Sequence, residues 1–211
     1  AALAQFPQVF EPQNPEVTKL HGPFVCSGGT PPEADLERWY AQGTRVVEIH
    51  CTAPFYGLYV PDREPFVAFC DDAYHSLKKR LTKEELPPED ASWRDLRDFV
   101  EKHQKPTMTR DAVRDYIERL HKHGMKGLIY FNPTEAWAPF AAAEFADDRV
   151  MTANGTPAPT WYESVCVIPD KDRAWGKYIL DQLRGELEQY PKVDGVFFDQ
   201  SAGGGHELTE L

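Results

Sequence analysis

Asp199 closes the hydrophobic run Val193-Asp194-Gly195-Val196-Phe197-Phe198 and is followed by Gln200 and a Gly203-Gly204-Gly205 stretch. A carboxylate held at the rigid end of a strand can attack an anomeric carbon, or stabilise an oxocarbenium-like charge, without reorganising. The competing reading is an Asp that caps the following loop or helix. His50 and Asn132 end two other β-branched or aromatic segments, and both side chains can bond sugar hydroxyls. For His50 the alternative is a satisfied core histidine. Retaining hydrolysis needs a second carboxyl group about 5–5.5 Å from the first. Glu48 and Glu135 are the conceivable partners, with strand anchoring the other role for Glu48 and surface solvation the other for Glu135.

Tyr130 and Gln200 stand next to these positions, and Trp137, Trp161 and Tyr56 fall in long stretches between periodic segments. An aromatic face suits the apolar face of a sugar ring, although such side chains also pack long loops down. The expected substrate-contacting set is therefore His50, Asn132, Glu135, Trp137, Tyr130 and Gln200, with Asp199 as the catalytic group. No cofactor or metal is expected: His50 lacks the His-x-His partner of a metallohydrolase strand end. His121 and His123 sit at a helix carboxyl end, where imidazoles favour the dipole. The glycine run lacks the spacing and lysine of a phosphate-binding loop.

Three segments share one grammar of amphipathic helix, stop signal, short connection and strand. The first helix is expected from Thr30-Pro31-Pro32-Glu33, with Thr30 and Glu33 as a capping box, an apolar stripe of Leu36, Trp39 and Tyr40, and Gly43 as its stop. The strand Arg45 to His50 follows. The second helix starts near Thr109, carries Val113, Tyr116, Ile117 and Leu120 on one face, stops at Gly124 and leads into strand Lys126 to Asn132. The third is capped by Asp170 or Asp172, buries Trp175, Tyr178, Ile179, Leu183 and Leu187, and precedes strand Val193 to Asp199. A shorter strand, Pro23 to Ser27, comes first.

This order implies parallel strands with helical crossovers. Helix-to-strand connections are a few residues, whereas the segments after His50 and after Asn132 are long, and the first is expected to hold helices near Asp72 to Lys79 and Trp93 to His103. All elaboration thus lies at the carboxyl ends of the strands, where parallel α/β folds place active sites. Alternation assigns Val47, Ile49, Ile129, Phe131, Val196 and Phe198 to the helix-covered face, and Glu48, His50, Tyr130, Asn132, Phe197 and Asp199 to the other. A polar mouth on one face fits a (β/α)8 barrel better than an open sheet covered on both sides.

The motif Val193-Asp194-Gly195-Val196-Phe197-Phe198-Asp199 resembles the fourth barrel strand of retaining glycoside hydrolases of the α-galactosidase and α-glucosidase superfamily. Asp115-Tyr116-Ile117 through His123-Gly124-Met125-Lys126 into Leu128-Ile129-Tyr130-Phe131, and Trp175-Gly176-Lys177-Tyr178, look like neighbouring parts of such barrels. The resemblance spans roughly residues 23–205. It implies the first half of a (β/α)8 barrel, strands one to four, with Asp199 as nucleophile and the acid/base carboxylate on a later strand outside these residues. The expected fold is therefore α/β, a partial barrel with long strand-to-helix loops: residues 1–22 form an N-terminal extension and 23–211 the truncated half-barrel, inactive as a fragment, with the rest of the barrel as its partner. Two other readings are a non-catalytic carbohydrate-binding barrel and, against the His spacing, a metal-dependent deacetylase or amidohydrolase.

The 211 residues carry 34 acidic and 23 basic side chains, a net charge of −11. Such a balance argues against nucleic acid and anionic membrane surfaces, since both need a basic stripe. No apolar run approaches the ~20 residues of a membrane span. The 4 cysteines include no Cys-x-x-Cys pair, so a zinc ribbon or redox motif is not expected. Ala2-Leu3-Ala4 has the small residues of a signal-peptide end, which favours a secreted or periplasmic location over the cytoplasm. Asn154-Gly155-Thr156 reads either as a turn or as a glycosylation acceptor.

Overall fold

The computed structural model describes residue 20, residues 22–50 and residues 52–199. Residues 1–19 and 21 of the expected N-terminal extension, Cys51, Gln200 and the glycine run lie outside the described residues. Four strands, β1 (Phe24–Ser27), β2 (Val46–Ile49), β3 (Lys126–Phe131) and, last in the chain, β6 (Gly195–Phe198), form one parallel sheet in the order β1-β2-β3-β6. The strands lie side by side in chain order, without the reversal that marks a doubly wound sheet. The fold is α/β, and the sheet has the layout of one arc of a (β/α)8 barrel. Its curvature is visible in two rings. Phe24 on β1 and Phe197 on β6 occupy opposite edges, which in a flat sheet would be about 14 Å apart, yet their centroids are 5.5 Å apart.

The outer face is covered by α1 (Glu33–Ala41) and by α4 (Arg110–Lys122). Leu36, Val113, Tyr116, Ile117 and Leu120 pack against Val47, Ile49 and Ile129, all essentially buried. Thr109 caps α4 by accepting from the Ala112 amide. Gly124 follows α4 at φ +70°, a left-handed geometry that glycine adopts without a Cβ penalty. Gly127 serves a different need: a Cβ there would lie 3.1–3.2 Å from Ile49 and Leu120, so its absence lets α4 approach β3 closely.

Between β2 and β3 run α2 (Cys70–Lys78) and α3 (Trp93–His103); after β3 come the antiparallel pair β4 (Glu135–Trp137) and β5 (Ser164–Cys166), with α5 (Ala138–Glu144) between them, and then α6 (Ala174–Gln189). These excursions build a second core, a cap rich in aromatic rings: Phe55, Tyr56, Tyr59, Phe69, Trp93, Trp137, Phe140 and Trp175 are all buried.

Several sequence expectations change. The helix at Glu33 has Pro32 at its N-cap position and no side-chain cap. Thr30 therefore caps nothing there, and Glu33 pairs instead with Arg119 and His123. The capping box forms at α3, where Ser92 and Asp95 bond reciprocally. Neither Asp170 nor Asp172 caps α6; its N-cap residue is Arg173, and the Asp148 carboxylate accepts from the Trp175 amide at 2.7 Å. Leu187 is 38% exposed rather than buried, and Phe198 is 47% exposed. Phe131 packs on Tyr59 of the cap, 4.5 Å between centroids. Gly155 (φ +75°) lies in a turn closed by Thr152 and Thr156. His121 and His123 pair with Asp194 and Glu33.

Candidate functional site

The parallel ladder continues past the strands, through the His50 amide to the Ser27 carbonyl (2.9 Å) and the Asp199 amide to the Phe131 carbonyl (3.0 Å). Ser27 and Ile49, the ends of β1 and β2, lie in register with Ile129 and Val196, and β3 and β6 run two residues further. The strand ends are thus staggered, while the inner-face side chains of adjacent strands meet. Asp199 is partly exposed, and its Oδ2 accepts a hydrogen bond from the Tyr130 hydroxyl at 2.8 Å. Tyr130 is 1% exposed. Burial, followed by the neighbouring tyrosines, raises its pKa far above the ordinary phenol, so it is a fixed neutral donor.

The Tyr130 ring lies against the His50 ring at 4.1 Å, and the other neighbour of His50 is Phe69 at 4.7 Å. His50 Nδ1 is 2.5 Å from Glu48 Oε1; the imidazole is 30% exposed and the carboxylate 2%. A buried carboxylate on Nδ1 selects the tautomer that carries its proton there and leaves Nε2 as the other polar atom of the ring. Glu48 thus anchors His50 at the strand mouth.

Two further groups were not singled out from the sequence. Cys26 shares the inner face with Glu48, its register partner on β2. Burial of its sulfur, the hydrogen bond to Glu48, and the charges of Glu48 and Asp199 push the thiol up to about 11. Strand alternation applied to β1 would have found it. Asp72, in the first turn of α2, is half-buried, which raises its pKa, while His50 and His75 pull it back. An acidic pair opening an amphipathic helix inside a strand-to-helix excursion is the signal that pointed there. Its neighbour Asp71 is fully buried, accepts from the Tyr56 amide (3.2 Å) and the Ser164 hydroxyl (3.3 Å), and is pushed up to about 7 by burial and by Asp72.

Most of the other expected contacts are buried. Asn132 is fully buried: its Nδ2 donates to Glu135 Oε2 at 3.0 Å, its Oδ1 accepts from the Thr134 amide and hydroxyl, and its amide donates to the Tyr59 hydroxyl. Glu135 opens β4 instead of lying in an exposed loop, and it too is fully buried. Trp137 is fully buried against Phe55, at 5.2 Å, so no face of its indole is open to a sugar. Tyr56 is 7% exposed, while Trp161 is 59% exposed. Gln200 lies outside the described residues. The sequence set thus divides: Asp199, Tyr130 and His50 come together at the strand ends, and Asn132, Glu135 and Trp137 hold the cap onto them.

Among the described residues no group of three His, Cys, Asp or Glu side chains is placed to hold a metal ion. No helix of these residues is long and apolar enough to cross a membrane.

No family model matches the chain, and no curated protein matches it. Among solved structures it is similar to a noncanonic maltogenic alpha-amylase from Thermotoga neapolitana, with TM-score 0.48 and 15% identity over 86% of this chain and 39% of that one. An alpha-amylase from Lactobacillus plantarum gives 0.47 and 14% over 85% and 38%. An alpha-galactosidase from Thermus thermophilus gives 0.44 and 14% over 83% and 30%. The chain therefore spans about two fifths of the length of the two amylases. At such identities and scores these likenesses assign it neither a family nor an activity.

Proposed function

We propose that this chain supplies the nucleophile half of a retaining glycoside hydrolase, with Asp199 attacking the anomeric carbon of a glycoside or oligosaccharide. The observation that carries the reading is the 2.8 Å hydrogen bond from Tyr130 to Asp199, made by a buried donor at the open end of a parallel strand. It fixes and orients the carboxylate at the strand end, so that little reorganisation precedes bond formation. Attack forms a glycosyl ester on Asp199 as the leaving-group oxygen takes a proton from a general acid; water then hydrolyses the ester. In this reading the acid/base carboxyl comes from a later strand of the same barrel, residues 23–211 being its first half, and the half-barrel alone is inactive. His50, held by Glu48, bonds substrate hydroxyls beside the nucleophile.

The test is Asp199→Ala in the full-length protein. Turnover of aryl glycosides should fall by about six orders of magnitude, the scale seen when a covalent nucleophile is removed. Undiminished turnover would sink the assignment. Saccharide binding without turnover in the unaltered protein would replace it with a binding barrel.

A further inference from the structure

Two neighbouring aromatic side chains break the pattern of the cap. Trp161 and Tyr162 are 59% and 58% exposed, while the surrounding rings are buried. Tyr162 also has φ +47°, a left-handed backbone that a bulky side chain adopts only where the surroundings enforce it. The enforcement is visible. The Ser164 amide bonds the Trp161 carbonyl at 2.9 Å, and the Ala138 amide bonds the Glu163 carbonyl at 2.8 Å. The Glu163 side chain is held by two residues of α2, His75 (2.9 Å) and Lys78 (2.7 Å), and the Tyr162 ring rests on His75 at 4.7 Å. These aromatic faces are therefore presented on a braced support, with charged and hydrogen-bonding groups at their edge.

The same helix links this platform to the Asp199 site. Phe69, the residue that precedes α2, stacks on the His50 ring at 4.7 Å, and His75 of the same helix carries the Tyr162 ring. Aromatic and polar side chains thus alternate from Asp199 through Tyr130, His50, Phe69 and His75 to Tyr162, the neighbour of Trp161. Rings with apolar faces and hydroxyl-bearing edges, joined in a chain, match that alternation of aromatic and polar surface.

We infer that Trp161 and Tyr162 form a stacking platform for a sugar unit remote from the reacting one, so that the substrate is a neutral oligosaccharide chain rather than a short glycoside. The inference rests on the glycosidase reading for the substrate class, but its test is a binding measurement that does not require turnover.

The full-length protein is titrated calorimetrically with maltose and maltohexaose, cellobiose and cellohexaose, and mannobiose and mannohexaose. At least one hexasaccharide should bind about tenfold more tightly than its disaccharide. In Trp161→Ala combined with Tyr162→Ala that gap should close, and in Trp161→Tyr combined with Tyr162→Phe it should persist. A gap that survives the alanine pair overturns the platform. So does the absence of any gap, or of any binding, in the unaltered protein, including the case where another part of the protein covers Trp161. Should the alanine pair disturb folding, seen as a loss of near-ultraviolet dichroism, Trp161→Ala alone decides by the same criterion. Loss of turnover in Asp199→Ala is read separately, so failure of the platform and failure of the nucleophile assignment are distinguishable.

Discussion

The outer-face core and the cap core use the same hydrophobic effect in different ways. Against the outer face, Leu36, Val47, Ile49, Val113, Ile117, Leu120 and Ile129 make a largely aliphatic layer whose spacing repeats with helix and strand periods. Over the strand ends, the cap packs rings edge-to-face, as in Phe55 against Trp93 and Phe140 against Trp93, and encloses carboxylates such as Asp71, Glu135 and Glu186. The first layer needs only apolar side chains at regular intervals. The second must cover irregular backbone, so it relies on large rings and on polar groups that satisfy loop amides. One holds the strands in place, and the other determines what surrounds their ends.

The largest effect should come from cutting into the cap. Trp137→Ala should cost about 3–5 kcal/mol in urea denaturation, as removal of a buried aromatic side chain does, and match or exceed Leu120→Ala in the outer layer at about 2–5 kcal/mol. A cost for Trp137→Ala near zero would return that residue to the ligand-facing surface and dissolve the distinction. Next comes the junction of the two regions. Tyr130→Phe removes the donor to Asp199 while keeping the ring between His50 and Phe197. A hydrogen bond to a charged group contributes about 1.5–3 kcal/mol. Steady-state kinetics should therefore show kcat/KM reduced about ten- to hundredfold, with little change in the unfolding midpoint.

The smallest effect is a pH dependence in the cap. Glu186 is fully buried near Thr52, and loss of solvation raises its pKa well above the ordinary glutamate value. A raised carboxyl pKa means that the folded state holds its proton to higher pH than the unfolded chain does. Its contribution is fully present below the unfolded value and is lost as pH rises through the folded one. Glu186→Gln should therefore raise the Tm by about a few degrees at pH 8, with the difference vanishing near pH 4. An equal gain at both pH values would mean that packing, not protonation, is responsible.

The aliphatic layer was readable because its physics is periodic. Val113, Tyr116, Ile117 and Leu120 declared both a helix and its buried face, and alternation along β3 and β6 assigned Tyr130 and Asp199 to one surface. The cap was not readable in that way. Trp137 and Trp161 look alike in sequence, each an aromatic in a long connection, yet one is fully buried and the other mostly exposed. The difference depends on which distant rings close over them. Capping failed for a related reason: Thr30 and Asp172 had suitable side chains, but Arg119 of α4 and His123 just past its end engaged Glu33, and Asp148 reached the α6 amide first. Long-range partners displaced the local ones.

The curvature that brings Phe24 to Phe197 also bears on how the chain folds. β2 and β3 are adjacent in the sheet, but residues 50–125 separate them, so their pairing closes a very long loop. The entropic cost of closure grows only with the logarithm of loop length, which leaves equilibrium stability little affected. Rates respond differently, because sequence-distant contacts slow the search for the transition state. Early ordering of the excursion through α2 and α3 would shorten that effective loop, making the aromatic cap a kinetic scaffold for the sheet as well as a cover for its mouth. Substitutions in that excursion such as Trp93→Ala would then slow refolding as well as hasten unfolding.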